Sequence, residues 1–221
     1  KILSTGNGRC NFSNRYANIE NYNGKNTAFI KNAMNKFWVD EAIGFFESLG
    51  MPCCEEDGGR LYPYSRQASA VCDVLRFEVE RLGIRIFSKT TVNGIEKNGK
   101  IFTVSDSNGK KEEYNRVILS TGGMAAPDLG SDGMGYKFAK SFGHSIVNPR
   151  PVLVQLKTDK NDVKGLKGIK SICNVKYGNR ESAGELLFTE YGLSGPPVFY
   201  LSSYVTEPDD IYIDFLPDYA E

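Results

Sequence analysis

The stretch 84–123, IRIFSKTTVNGIEKNGKIFTVSDSNGKKEEYNRVILSTGG, constrains the fold more than any other part of the chain. Upstream of it the apolar residues recur every three or four positions; inside it they recur every two. TVNGIEK, KIFTVSD and KKEEYN are separated by Asn98-Gly99 and Asn108-Gly109, dipeptides that accept the positive φ of tight hairpin turns. The pattern predicts a three-stranded meander, with IRIFS (84–88) as a further strand before it. RVILS (116–120) is continuously apolar, as in a buried parallel strand, and runs straight into Thr121-Gly122-Gly123. A parallel strand that ends in glycines lets a ligand approach the backbone at the carboxyl edge of a sheet. The plain alternative is a tight turn leaving a strand.

Helical patterns flank this region. Met34, Phe37, Trp38, Ala42, Phe45, Phe46 and Leu49 fall on one face of a helix that Gly50 caps and Pro52 stops. The segment 53–65 reads as a short hairpin or loop. Ala68, Val71, Leu75, Val79 and Leu82 predict a second helix over 67–82, ended by Gly83. A third begins near Gly133, capped by Ser131 or Asp132, with Met134, Phe138, Ala139 and Phe142 on one face. Beyond Pro149 and Pro151 the character changes. VLVQLKT, ICNVKYG, ELLFTE and IYIDFL are short strand candidates between Gly- and Asn-rich turns. A domain boundary is placed near Asn148, giving 1–147 and 148–221.

A chain of 221 residues buries about 70% of its unfolded surface and needs no disulfide scaffold. Lys+Arg and Asp+Glu balance at 27 each, which argues against a general nucleic-acid or anionic-membrane binder. No apolar run approaches the roughly 20 residues that span a bilayer. The five cysteines, Cys10, Cys53, Cys54, Cys72 and Cys173, are odd in number and form no C-x-x-C pair. They fit neither a disulfide framework nor a zinc site, and a reducing, cytoplasmic compartment is expected, with no metal. His144, the single histidine, follows the helix-ending Gly143 and reads as structural.

The chain opens on KILSTGNGRCNFSN, where a Gly-rich bend precedes a guanidinium, a thiol and an amide. Neither this bend nor Gly133-Met134-Gly135 completes a G-x-G-x-x-G: the six-residue frames end at Asn11 and Phe138. The usual pyrophosphate-binding turn of a Rossmann unit is therefore not in the sequence.

Four ordered segments carry a resemblance. STGNGRCNFSN resembles the G-x-G-R-C-N-x-S/T-N segment of the aminoacetone oxidase/BaiN-type (YhiN-like) family of NAD(P)/FAD-dependent oxidoreductases. GRLYPYSRQASAV (59–71) resembles its G-R-x-F/Y-P-x-S-x-x-A-x-x-V segment. VILSTGG and the following GSDGMGYKFAKSFGHSIVNPRPVLVQL resemble its A-T-G-G to P-x-P-A-L-V-x-L run. LLFTEYGLSGPPVFYLS (186–202) resembles its L-F-T-H-x-G-L/I-S-G-P stretch, with Glu190 where His is usual and Pro197 for a small residue.

The resemblance implies a mixed α/β (α+β) fold: a partial FAD-binding, Rossmann-like domain of glutathione-reductase type with a β-meander, followed by a β-rich inserted domain on the substrate side. It also implies an internal fragment, since relatives begin with a strand and G-x-G-x-x-G upstream of the G-R-C-N loop and end in a Gly-rich return segment. The fragment alone is expected to be inactive and not to hold FAD tightly, because the pyrophosphate turn is missing. Among site residues, Arg9 would offer a cationic fork to an anionic oxygen of FAD. Asn11 would hydrogen-bond the flavin or ribityl chain, and Gly6 and Gly8 would let the backbone approach. Cys10 sits in the same loop, either as a redox thiol or, preferably, as a small buried apolar residue. Ser65 and Gln67 would approach the flavin from its second side. Val92 would meet the adenine, and Thr121, Gly122 and Gly123 the adenosine–pyrophosphate half. No catalytic residue is assigned, and Tyr191, Ser194 and Pro196 have no residue-level role.

Three functions follow from this reading. One is an FAD-dependent oxidoreductase acting on a small organic substrate, with NAD(P)H as electron donor and neither nucleic acid nor membrane as partner. Another is a non-catalytic nucleotide-binding or interaction module that keeps the fold. The third, an RNA-modifying flavoprotein, is disfavoured by the charge balance.

Overall fold

The computed structural model describes residues 1–24 and 26–219. They form two compact units, Lys1–Gly122 with Ala126–His144, and Gly123–Ala125 with Ser145 onward. Each combines helix with antiparallel sheet, so the mixed α/β class holds.

The first unit opens with a tight 3-10 segment, Ile2–Gly8, interrupted by the non-helical Thr5, Gly6 and Asn7. Strands β1 (Ser13–Asn14), β2 (Cys53–Glu56) and β3 (Arg60–Pro63) form an antiparallel sheet in the order β1-β3-β2. The hairpin between β2 and β3 turns on Gly58 and Gly59, both at φ +75°. A side chain at Gly59 would meet the Tyr16 ring at 2.5 Å.

The helical pattern over 34–49 is not one helix. Helix α1 (Lys31–Met34) stops, and α2 (Val39–Ser48) starts afresh. Trp38 is the point of the break. Its backbone leaves the helical region (φ −131°, ψ −144°), its N–H donates to Glu41 Oε2 at 2.9 Å, and its indole N–H donates to Ala17 O at 3.1 Å. Those bonds satisfy an exposed helix start and anchor the preceding loop, which a continuous helix would not do. Gly50 (φ +82°) then ends α2, with Gly50 N donating to Glu47 O and Met51 N to Phe46 O.

Helix α3 (Ala68–Arg81) follows the predicted face at its start, while Leu82, its C-cap, is exposed. Ala68 and Val71 are buried with Cys10 and Met51, and Phe46, Val74 and Leu75 pack against them. Complete burial of a side chain such as Val71 stabilises by about 1.5–3 kcal/mol.

The meander is present: β4 (Val92–Asn98), β5 (Ile101–Asp106) and β6 (Lys111–Tyr114) lie in that order. Asn98 is the last residue of β4, paired with Ile101, so the first turn is Gly99-Lys100 with Gly99 at φ +62°. In the second turn Gly109 takes φ +82° and Asp106 Oδ1 accepts from the N–H groups of Asn108 and Lys110 at 2.8 and 2.9 Å.

The two other strands expected nearby do not form. Neither 84–88 nor 116–120 pairs as a strand among the described residues; Ile84 N instead donates to Val79 O at the end of α3. Ile86 and Ile118 are exposed, the latter at 88%. Their apolar character suits a sheet interior, but a strand needs a neighbouring backbone, and here none lies alongside. Helix α4 (Met134–Ser141) closes the unit. Asp132, not Ser131, accepts from its first N–H (Met134 N, 2.9 Å), while Ser131 is buried and receives a hydrogen bond from Lys1 Nζ. His144 N donates to Ala139 O at 3.2 Å and so ends the helix.

The second unit is a five-stranded antiparallel sheet. Strands β7 (Leu156–Lys157), β8 (Lys170–Tyr177), β9 (Arg180–Phe188), β10 (Gly192–Ser194) and β11 (Tyr212–Asp214) lie in the order β11-β8-β9-β10-β7. Helix α5 (Pro196–Ser202) begins on two prolines, whose fixed φ suits a first turn, and buries Val198 and Leu201 against Cys173, Val175 and Leu186. At Gly192 any side chain would run into Leu156 O, so only glycine lets β7 and β10 come this close.

Candidate functional site

The site is built on the first turn of the chain. Gly6, Asn7, Gly8 and Cys10 all have positive φ, at +54°, +55°, +77° and +59°. Gly6 is required twice over: a Cβ there would lie 2.7 Å from Asn11 N and 3.3 Å from the Tyr62 ring. At Gly8 a Cβ would meet only Leu3 O, at an ordinary 3.8 Å, so its conformation alone is what asks for glycine. Left-handed backbone at non-glycine residues costs energy and concentrates at functional sites. The loop is held from below. Phe12 N donates to Leu61 O at 3.0 Å, and the Asn11 amide, with its nitrogen turned inward, donates to Ser13 O (2.7 Å) and Leu61 O (3.2 Å).

Arg9 is oriented by three contacts. Its NH1 donates to both Glu56 oxygens, at 3.1 and 3.0 Å. Its guanidinium carbon lies 4.5 Å from the centroid of the Tyr62 ring, and its NH2 is 3.5 Å from the Tyr62 hydroxyl. Glu56 Oε1 also accepts from Arg66 Nε at 2.8 Å. The Arg66 hydrogen bond, and then that of Arg9, hold the Glu56 carboxyl below the usual carboxylate range, with desolvation opposing them. Arg66 is itself left-handed (φ +53°) and is raised in turn by Glu56.

Cys10 lies inside, 6% exposed, packed on Met51, Ala68 and Val71, with its N–H given to Thr5 O. It fills space under the loop. Ser65 Oγ accepts from Gln67 N at 3.3 Å; both residues are exposed beside Arg66, and Gln67 leads into α3. The loop 6–11, the β2–β3 hairpin and the start of α3 are therefore gathered in one place.

The remaining expected residues lie elsewhere. Thr121 and Gly122 pack on the start of α4. A Cβ at Gly122 (φ +78°) would meet Ser131 Oγ at 2.8 Å, and one at Gly135 would collide with Thr121 Oγ1. The residues that flank Ile2–Gly8 reach both places: Lys1 Nζ bonds Ser131, and Arg9 pairs with Glu56. Val92 begins β4 at a register shift and lines a shallow cavity of about 150 Å³ with Phe87 and Val104. Gly123 groups with the second unit. There Tyr191 OH donates to Gln155 at 2.7 Å and Ser194 is buried. Among the described residues no cluster of His, Cys, Asp or Glu is placed to hold a metal ion, and no helix is long and apolar enough to cross a membrane.

Glu56, Tyr62 and Arg66 are the residues that motif reasoning passed over. The signal for two of them was the alternation of the hairpin: Glu56 and Cys54 on β2 share a face with their partners Arg60 and Tyr62 on β3.

The first unit thus combines a mixed α/β fold, a three-stranded meander and a glycine-bent opening loop. Residues 1–195 match the model of the HI0933-like protein Rossmann domain, and the chain belongs to that family. It is 36% identical over 229 residues to a 3-dehydro-bile acid Δ(4,6)-reductase of Clostridium scindens. It is 29% and 32% identical, over 230 and 225 residues, to ribosomal RNA dihydrouridine synthases of Haemophilus influenzae and Escherichia coli. Each alignment covers 99% of this chain but only 55–56% of the relative, so the chain spans about half the length of the curated relatives it matches.

Proposed function

We propose that the full-length protein is an FAD-dependent oxidoreductase that saturates an activated carbon–carbon double bond, with NAD(P)H as the electron donor. The observation that carries the reading is the Gly6–Asn11 loop, in a chain matched to an HI0933-like Rossmann domain over 1–195. Two features support a dinucleotide cofactor there: the left-handed, glycine-bent backbone at Gly6 and Gly8, and the oriented guanidinium of Arg9. Gly6, Gly8, Arg9 and Asn11 would hold the flavin end, and Thr121 and Gly122 the other half. Bound FAD supplies the two-electron redox chemistry. The chain's own residues bind, orient and exclude water. Cys10 serves here as a small apolar side chain of the core.

The substrate class rests on what the relatives' names share. A Δ(4,6)-reductase and a dihydrouridine synthase both add hydrogen across a C=C bond. A small conjugated enone is the preferred substrate, given the balanced charge of this chain. The dihydrouridine synthase names favour a second reading, a pyrimidine in ribosomal RNA.

The test is a visible spectrum after FAD addition and desalting, for this chain and for its full-length reading frame. A flavin band retained by the long form alone is expected, since the chain lacks a G-x-G-x-x-G turn. No band in either would favour the nucleotide-binding or interaction module. Bleaching of that band by NADPH or NADH, followed by reoxidation with a steroid enone but not with ribosomal RNA, supports the first substrate; the reverse supports the second.

A further inference from the structure

We propose that Glu56 is the positioning residue of the Arg9 loop, fixing the guanidinium in one orientation while its sharing with Arg66 leaves the trio one net positive charge for an anionic ligand. This rests on the reading of the loop as a flavin contact.

The geometry is specific. Two guanidiniums meet one carboxylate: Arg9 NH1 contacts both oxygens and Arg66 Nε contacts Oε1. The Glu56 side chain is only 21% exposed, against 37% for Arg9 and 52% for Arg66. The carboxylate is thus covered by its partners while their outer edges face solvent. Below Arg9 the Tyr62 ring, 3% exposed, supplies a rigid floor. Carboxylate and ring together fix the guanidinium plane. They leave Nε and NH2 free of any strong bond, because the NH2 to Tyr62 OH contact is 3.5 Å.

Charge decides what such an edge can take. A lone Arg–Glu pair is neutral and would offer an anion little. Here the second arginine offsets the carboxylate, and Arg60, opposite Glu56 in the hairpin register, adds a further cation on that face. Backbone conformation points the same way. Arg66 on one side, and Asn7 and Cys10 on the other, are left-handed non-glycine residues. Glu56 ties the two strained turns to one strand end, which keeps Arg9 pre-oriented before any ligand arrives.

The test is a double-mutant cycle in the full-length protein, read as the FAD dissociation constant from flavin fluorescence. Parent, Arg9→Ala, Glu56→Gln and the double variant are compared. Glu56→Gln is expected to weaken FAD about tenfold in the parent, because the lost orientation of Arg9 outweighs the negative charge removed beside it; tighter binding would overturn the proposal. In the Arg9→Ala background it should change nothing further. An unchanged constant in Glu56→Gln, or an equal loss in both backgrounds, would overturn the proposal, since Glu56 would then act on the fold rather than through Arg9. A parent that binds no FAD overturns the flavin reading and this proposal together. A parent that binds FAD without Arg9–Glu56 coupling overturns this one alone. If Glu56→Gln does not fold, Glu56→Asp, which keeps the charge but shortens the reach, takes its place with the same outcomes.

Discussion

Left-handed backbone gathers in the first ten residues, and it separates glycines that a motif treats alike. Gly6 needs both its φ of +54° and the absence of a Cβ; Gly8 needs only its φ. Gly6→Ala is therefore expected to lower the unfolding free energy by about 2–4 kcal/mol and Gly8→Ala by about 1–2, the left-handed penalty alone. Urea unfolding of the two variants checks the order; equal losses would contradict it. Glu56 makes a pH prediction with a definite sign. Its carboxyl lies below the ordinary range in the folded chain, so its contribution is complete above the unfolded value of about 4.3 and is lost as pH falls through the folded value. The gap in urea midpoint between the parent and Glu56→Gln should narrow as pH drops below about 4, and stay constant from there to neutrality. Of this site, Arg9, Asn11 and the glycines were legible in the opening motif. Glu56 was not, because one carboxylate on a short two-faced hairpin looks like any solvated charge until its partners at 9 and 66 are brought beside it.

At the scale of elements, local signals did well where local forces decide. The face of α3 and the turns of the meander follow from periodicity and from residues that tolerate positive φ. The break at Trp38 was hidden, because its apolar spacing continues across the gap while its hydrogen bonds run to Glu41 and Ala17. The segments 84–88 and 116–120 show the other limit. Composition marks them as strands, but pairing is a property of the neighbour. The amides of 85–88 and 116–120 are expected to exchange with solvent within the fastest group, while those of β8 and β9, paired along Lys170–Tyr177 and Arg180–Phe188, are protected. Hydrogen exchange followed by mass spectrometry measures the contrast. Protection of 116–120 in the isolated chain would show that it finds a partner.

The molecule as a whole carries 27 basic and 27 acidic side chains, with a sequence pI of about 6.8. Large apolar residues such as Ile86, Ile118 and Val147 are exposed on it. Without net charge nothing long-ranged keeps copies apart, and apolar surface draws them together. Light scattering of the isolated chain should peak near its pI and fall on either side; a flat profile would mean that the exposed residues do not associate.

Trp38 is the only tryptophan in the sequence, and its position gives the chain a built-in optical reporter. The indole joins the start of α2 to the carbonyl of Ala17 and stands 5.9 Å from the Tyr22 ring. Its emission therefore registers whether the Ala17–Tyr22 segment is seated on the helix. A red shift would signal the loop lifting away, and excitation passed on from Tyr22 would vanish with it.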